Sequence, residues 1–250
     1  MKKMLSVALS LILLLSFVSA AFADVDDETY HSAGEVIDLI LDVRSKAKAP
    51  ISLVKATLNS GGRSSPVYLM ALDGTLYVPV SVNNPFACVL SSFDLSTIYL
   101  REAKRILLER VPVGSKLLLA GHSLGGMIAQ QLASDKTIKS RYEIVNTLTA
   151  GSPVVLSGVL EGSIHRLAAK NDIIPKLGIG YILKGCSLFS IEKTECSLNP
   201  MNAHMSYHTD PAWNAYDVLG VKGGKSTLTL NRAEVIAFCE VKIELVRRFM

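Results

Sequence analysis

The segment that most limits how this chain can fold begins at Lys116. The run Leu117-Leu118-Leu119-Ala120 leads directly into Gly121-His122-Ser123-Leu124-Gly125-Gly126. Helical spacing follows at once, with Leu124, Met127, Ile128 and Leu132 on one face as far as Ala133. An unbroken apolar run suits a central parallel strand buried on both faces. Strand, glycine-bounded turn and amphipathic helix are the three parts of a nucleophile elbow, the sharp turn that presents a serine at the top of an α/β sheet. Glycines are needed there because the turn is tight and neighbouring backbone comes close. The helix N-terminus points at Ser123 and favours negative charge developing beside it. Ser123 is the candidate nucleophile, with Gly121, His122 and Gly125 completing the elbow.

Serine is a poor nucleophile at its free pKa and needs a base, usually a histidine oriented by a carboxylate. On this kind of sheet the chain order is Ser, then Asp or Glu, then His. Of the five histidines, His31 and His122 precede or abut Ser123 and drop out. His165 would need its acid among Asp135, Glu143 and Glu161, none of which follows a convincing strand. His204 and His208 remain, both in loop-like sequence. For the acid, Asp172 stands out: it follows the strand candidate Ser163–Ala168, and Pro175 fixes a turn just beyond it. Glu192 and Glu195 read as solvated.

The rest of the chain alternates strands with helices, which predicts an α/β fold with a mostly parallel central sheet and helices on both faces. Helices are expected over Ser32–Ser45 and Leu95–Arg110, the second capped by Ser96 and stopped by Pro112. Strands are expected over Ile51–Leu58, Val67–Leu72, Leu76–Val82, Ile144–Thr149 and Ser163–Ala168. Asn59-Ser60-Gly61-Gly62 is a turn. Arg232–Phe249 reads as a closing helix.

Lys2 and Lys3, an apolar run to Val18 and small residues up to Ala21-Phe22-Ala23 form the three parts of a cleavable export signal over residues 1–23. Those residues hold two lysines and no acids, so without them the formal charge falls from +4 to +2. No basic run longer than Arg247-Arg248 is left, which argues against nucleic acid as a partner. Residues 24–250 suffice for one sizeable core and form one expected domain. Four cysteines in an exported chain can pair. Cys186 and Cys196 flank a short polar stretch that reads as a stapled loop, and closing it would contribute about 3 kcal/mol. Cys88 and Cys239 are a further possible pair. There is no Cys-x-x-Cys, and no metal or cofactor is expected.

At this level the residues resemble a known family. Leu118-Leu119-Ala120-Gly121-His122-Ser123-Leu124-Gly125-Gly126-Met127 looks like the elbow of the class 3 lipases. Ala150-Gly151-Ser152-Pro153 and Asn171-Asp172-Ile173-Ile174-Pro175 are similar to that family's Gly-Ser-Pro and acid motifs. Leu72-Asp73-Gly74-Thr75 is similar to the end of its oxyanion strand. His204-Met205-Ser206-Tyr207 and Tyr216-Asp217-Val218-Leu219-Gly220 look like the His region of a bacterial lipase-like subgroup. The likeness runs in patches over about residues 66–220. Two features depart from the family. Its members usually carry a basic or apolar residue where Asp73 stands, and a carboxylate there should point away from the oxyanion. No lid is recognisable, although Val82–Phe93 or Gly178–Met201 could cover the site.

The resemblance implies an α/β-hydrolase fold and acyl transfer. Ser123 would attack an ester carbonyl, His204 (with His208 as second choice) would take its proton, and Asp172 would hold the imidazole. The backbone N–H groups of Leu124 and Thr75 would bind the oxyanion. The expected partner is an acyl-ester or lipid substrate, with transient contact at a lipid interface; the oligomeric state is left open. The alternatives are a non-catalytic lipid- or partner-binding protein on the same fold, or another acyl chemistry such as that of a phospholipase, thioesterase or amidase.

Overall fold

The computed structural model describes residues 28–47, 50–74, 96–155, 158–177, 191–194 and 200–238. The expected export signal, the strand Leu76–Val82, both stretches that could form a lid (apart from 191–194, 200 and 201) and all four cysteines lie outside them. Thr75 does too.

Eight strands among the described residues form one sheet in the order β1-β8-β2-β3-β4-β5-β6-β7. They are β1 (Glu28–Tyr30), β2 (Ile51–Ser60), β3 (Arg63–Leu72), β4 (Lys116–His122), β5 (Glu143–Ala150), β6 (Ser163–Ala169), β7 (Ile191–Thr194) and β8 (Thr227–Phe238). From β3 to β7 every neighbouring pair is parallel. The β1–β8, β8–β2 and β2–β3 pairs are antiparallel. The expected α/β architecture is borne out, with a short antiparallel flank. β2 and β3 are joined through Gly61 and Gly62, whose φ values of 57° and 74° give the primed two-residue turn that suits strand twist.

Side chains alternate across the sheet and build a core on each face. Leu118 and Ala120 of β4 join Val54, Leu69, Leu148 and Leu167 against Val36, Ile37 and Ile40 of helix α1 (Ala33–Ala47). Leu117 and Leu119 join Leu53, Met70, Leu72 and Ile144 on the other face. There they meet Tyr99, Ile106 and Leu107 of α2 (Ile98–Arg110) and Met127, Ile128 and Leu132 of α3 (Leu124–Ser134). From Leu117 onward β4 is buried throughout, which accounts for its apolar run. α1 opens on a capping box: Ser32 Oγ accepts from the Glu35 N–H at 3.3 Å, and Glu35 Oε2 accepts from the Ser32 N–H at 3.0 Å.

Three expectations are corrected. Residues 232–238, read as part of a closing helix, continue β8, where Val235, Ala237 and Phe238 pair with β2. The ladder along β2 outweighs the local helix preference of Ala and Glu. The cap of α2 is Thr97, whose side chain accepts from the Leu100 N–H at 3.1 Å, not Ser96. His204, read in a loop, stands in the last turn of a short helix, α5 (Pro200–Met205), which follows α4 (Lys136–Arg141) in chain order. In addition, the stretch read as a polar loop between Cys186 and Cys196 contains the edge strand β7.

Candidate functional site

The C-terminal ends of the parallel strands bring the site together. Ser123 follows β4 and precedes α3, with its N–H donating to the Ala150 carbonyl at 2.9 Å. Its φ of 53° and ψ of −121° make it the one non-glycine residue with positive φ among those described. Such a backbone persists only where the surroundings enforce it, and it is a frequent mark of a reacting residue. The close packing is visible at Gly125, where a Cβ would lie 2.1 Å from the Leu72 carbonyl oxygen. The end of β3 is thereby laid over the elbow. A Cβ on Gly74 would lie 3.0 Å from that of Ser123.

Asp172 follows β6, as its sequence context suggested. Its N–H donates to the Ala169 carbonyl at 3.0 Å, and its Oδ1 accepts from the Ile174 N–H at 2.9 Å. It is fully buried. Asp172 Oδ2 lies 2.9 Å from His204 Nδ1, and His204 Nε2 lies 3.0 Å from Ser123 Oγ. A continuous Ser–His–Asp chain of hydrogen bonds therefore links residues from three separate segments: the elbow, the loop after β6 and the last turn of α5. Beneath it, Gly151 has a φ of 58°, and a Cβ there would lie 3.0 Å from Asp172 Oδ2 and 3.1 Å from His204 Nδ1. A side chain at 151 would displace the pair.

The structure separates the two histidines left open above. His208 is exposed in the turn 207–209, beyond the end of α5. His31 is exposed ahead of α1, and His165 lies on β6 against Gly220. His204 and His208 are four residues apart, but the helix ends between them, so they do not share a face. Among the described residues no group of three or more His, Cys, Asp or Glu is arranged to hold a metal ion.

Leu124 begins α3, so its N–H has no carbonyl one helical turn earlier to accept it. Asp73 is buried, and its Oδ1 turns back to accept from the N–H of Gly74 at 2.6 Å. Its main chain is fixed by the Pro50 carbonyl at 2.8 Å and by the Tyr99 hydroxyl, which donates to its carbonyl at 2.9 Å.

Several contributors had no signal strong enough to single them out in sequence. Tyr207 donates its hydroxyl to Asp172 Oδ2 at 2.8 Å and accepts from the Ala169 N–H at 2.8 Å. It stacks on the buried Trp213 at 5.2 Å between centroids, and Trp213 packs against Tyr216 at 5.7 Å. Its spacing of three from His204 was the available clue. Gln130 of α3 donates to the carbonyls of Gly126 at 3.1 Å and Pro153 at 2.9 Å, tying the elbow helix to the loop after β5. Gln130 Oε1 accepts from Arg166 Nε at 3.4 Å; burial draws that guanidinium down to about 10, so it stays charged at neutral pH.

Tyr207→Phe removes one of the hydrogen bonds that hold the Asp172 carboxylate. The expected result is a roughly three- to tenfold lower kcat on a soluble ester and about 1 kcal/mol less stability. Steady-state kinetics and urea unfolding of the variant check both.

A sharp strand-to-helix turn carrying a strained serine, at the C-terminal end of a central parallel strand, defines the α/β-hydrolase fold. Residues 69–180 match the family model for class 3 lipases, so this segment of the chain is similar to that family. The match takes in the elbow, Gly151-Ser152-Pro153 and Asp172; His204 lies beyond it. No curated protein matches the chain. A lipase-like ester hydrolase is the class of protein that this similarity supports.

Proposed function

We propose that the protein is an exported serine carboxylic-ester hydrolase that cleaves acyl-lipid esters through an acyl-enzyme on Ser123. The observation that carries this reading is the hydrogen-bond chain from Ser123 Oγ through His204 to Asp172, at 3.0 and 2.9 Å. For His204 Nε2 to accept the serine proton, Nδ1 must carry the other proton, and the Asp172 carboxylate selects that tautomer. As Oγ attacks the ester carbonyl, His204 becomes an imidazolium beside an ionised Asp172. The developing oxyanion is held by the Leu124 N–H, aided by the positive end of α3, and by Thr75 through the family resemblance. Each such donor contributes about 3 kcal/mol. The imidazolium then protonates the departing alcohol, and water, activated by the same nitrogen, releases the acid. The basic start and the Ala21-Phe22-Ala23 site support export, with residues 24–250 as the mature hydrolase domain.

A lipid substrate is favoured by what flanks the reacting groups. Ile173, next to Asp172, is 48% exposed; Leu177, in the following turn, 62%; and Met205, next to His204, 45%. Exposed apolar side chains beside a site suit contact with acyl chains or a lipid surface. Release of p-nitrophenol from acyl esters of graded chain length tests the reading. Hydrolysis rising with chain length is expected, and no hydrolysis of any ester by the folded protein would refute it. The variant Ile173→Ser/Leu177→Ser should lose roughly tenfold in rate on emulsified ester while staying within about twofold on a dissolved short ester, since only apolar contact area is removed.

A further inference from the structure

We propose that His122, the residue before the nucleophile, is a positioning residue that holds the base in place through the main chain of His204. The proposal rests on the reading of Ser123, His204 and Asp172 as the reacting group. His122 ends β4 and is buried, and its Nε2 lies 3.0 Å from the carbonyl oxygen of His204. A carbonyl has no proton to give, so Nε2 of His122 carries the hydrogen and donates. The two rings lie 4.9 Å apart, tilted by 34°, and the His122 ring also meets Tyr207 at 5.7 Å.

The need for such a tie follows from where His204 sits. It occupies the last turn of a six-residue helix, whose final carbonyls have no intrahelical donors. A helix that short holds little order of its own. Its position must be imposed from outside, by Asp172 on the ring and by His122 on the backbone. Ser123 and His122 share one strand-to-helix turn, so the same rigid element presents the nucleophile and grips the base 81 residues further on. Simple filling of space at position 122 would be met by an apolar ring. A buried imidazole is costly to desolvate unless it is bonded, and here it is bonded to the carbonyl of the base itself.

The two neighbouring histidines must then be opposite tautomers: His122 protonated on Nε2, His204 on Nδ1. Nitrogen-15 spectra of the histidine rings near pH 8 read this without any substrate. Kinetics on a dissolved ester complete the test with His122→Phe, His122→Gln and His122→Asn. Phe keeps the shape and loses the donor; the Gln amide reaches the Nε2 position, whereas the Asn amide reaches only Nδ1. His122→Phe should lower kcat by roughly ten- to a hundredfold with KM unchanged, as expected for a slightly misplaced base. His122→Gln should recover most of it and His122→Asn little. Wild-type kcat in His122→Phe, or Gln no better than Asn, or an Nδ1–H tautomer at His122, would overturn the proposal. If His122→Phe fails to fold, the Gln–Asn comparison and the tautomers still decide. A failure of the esterase reading shows instead as a wild type without turnover.

Discussion

Replacing His204 by alanine is expected to lower kcat on a soluble ester by roughly four to six powers of ten, while His208→Ala stays within about twofold of wild type. The asymmetry follows from geometry. His204 Nε2 is 3.0 Å from Ser123 Oγ, and its other ring nitrogen is 2.9 Å from a buried carboxylate. Without the imidazole the serine proton has no acceptor, and the alcohol leaving group has no donor. His208 is exposed beyond the end of α5. Both variants should keep the wild-type circular dichroism. A reversed pattern, with His208→Ala dead and His204→Ala active, would show that the base had been assigned to the wrong side chain.

Asp172→Asn is the second large effect, a loss in kcat of about three to four powers of ten. The carboxylate accepts on every side: from the Ile174 N–H at 2.9 Å, from the Tyr207 hydroxyl at 2.8 Å and from His204 Nδ1. An asparagine that keeps its oxygen toward Ile174 turns its amide donors on His204 and Tyr207. The imidazole is then driven to the tautomer with its proton on Nε2, and Ser123 loses its acceptor. Flipping the amide instead leaves the Ile174 N–H facing a donor. Either way stability should fall by about 1–3 kcal/mol. Steady-state kinetics with thermal unfolding separates the two consequences. A variant with wild-type kcat would mean that Asp172 does not orient the base.

Parts of this site were readable before any coordinates because their chemistry forces their sequence. The elbow needs an apolar strand, glycines where backbones collide and an amphipathic helix, and all three lie within twenty consecutive residues. Asp172 was readable because it follows a strand and precedes a proline-fixed turn. The residue pattern alone did not separate the two histidines, which stand four residues apart and differ only in where α5 ends; the family resemblance alone put His204 ahead of His208. Tyr207 and His122 act through hydrogen bonds that span 35 and 82 residues, which no local pattern encodes. β8 was misread for a related reason. Its stretch after Arg232 favours a helix locally, and only the ladder to β2, far earlier in the chain, makes it a strand. The capping of α2 turned on a single position, Thr97 in place of Ser96, within the usual uncertainty of helix ends.

The central claim is that Ser123 is a nucleophile activated by His204. A fluorophosphonate probe, followed by intact mass and peptide mapping, tests it most directly. The account predicts one adduct per chain, on Ser123, absent in Ser123→Ala and formed far more slowly in His204→Ala. No adduct on folded wild-type protein, or an adduct that persists in Ser123→Ala, would contradict it.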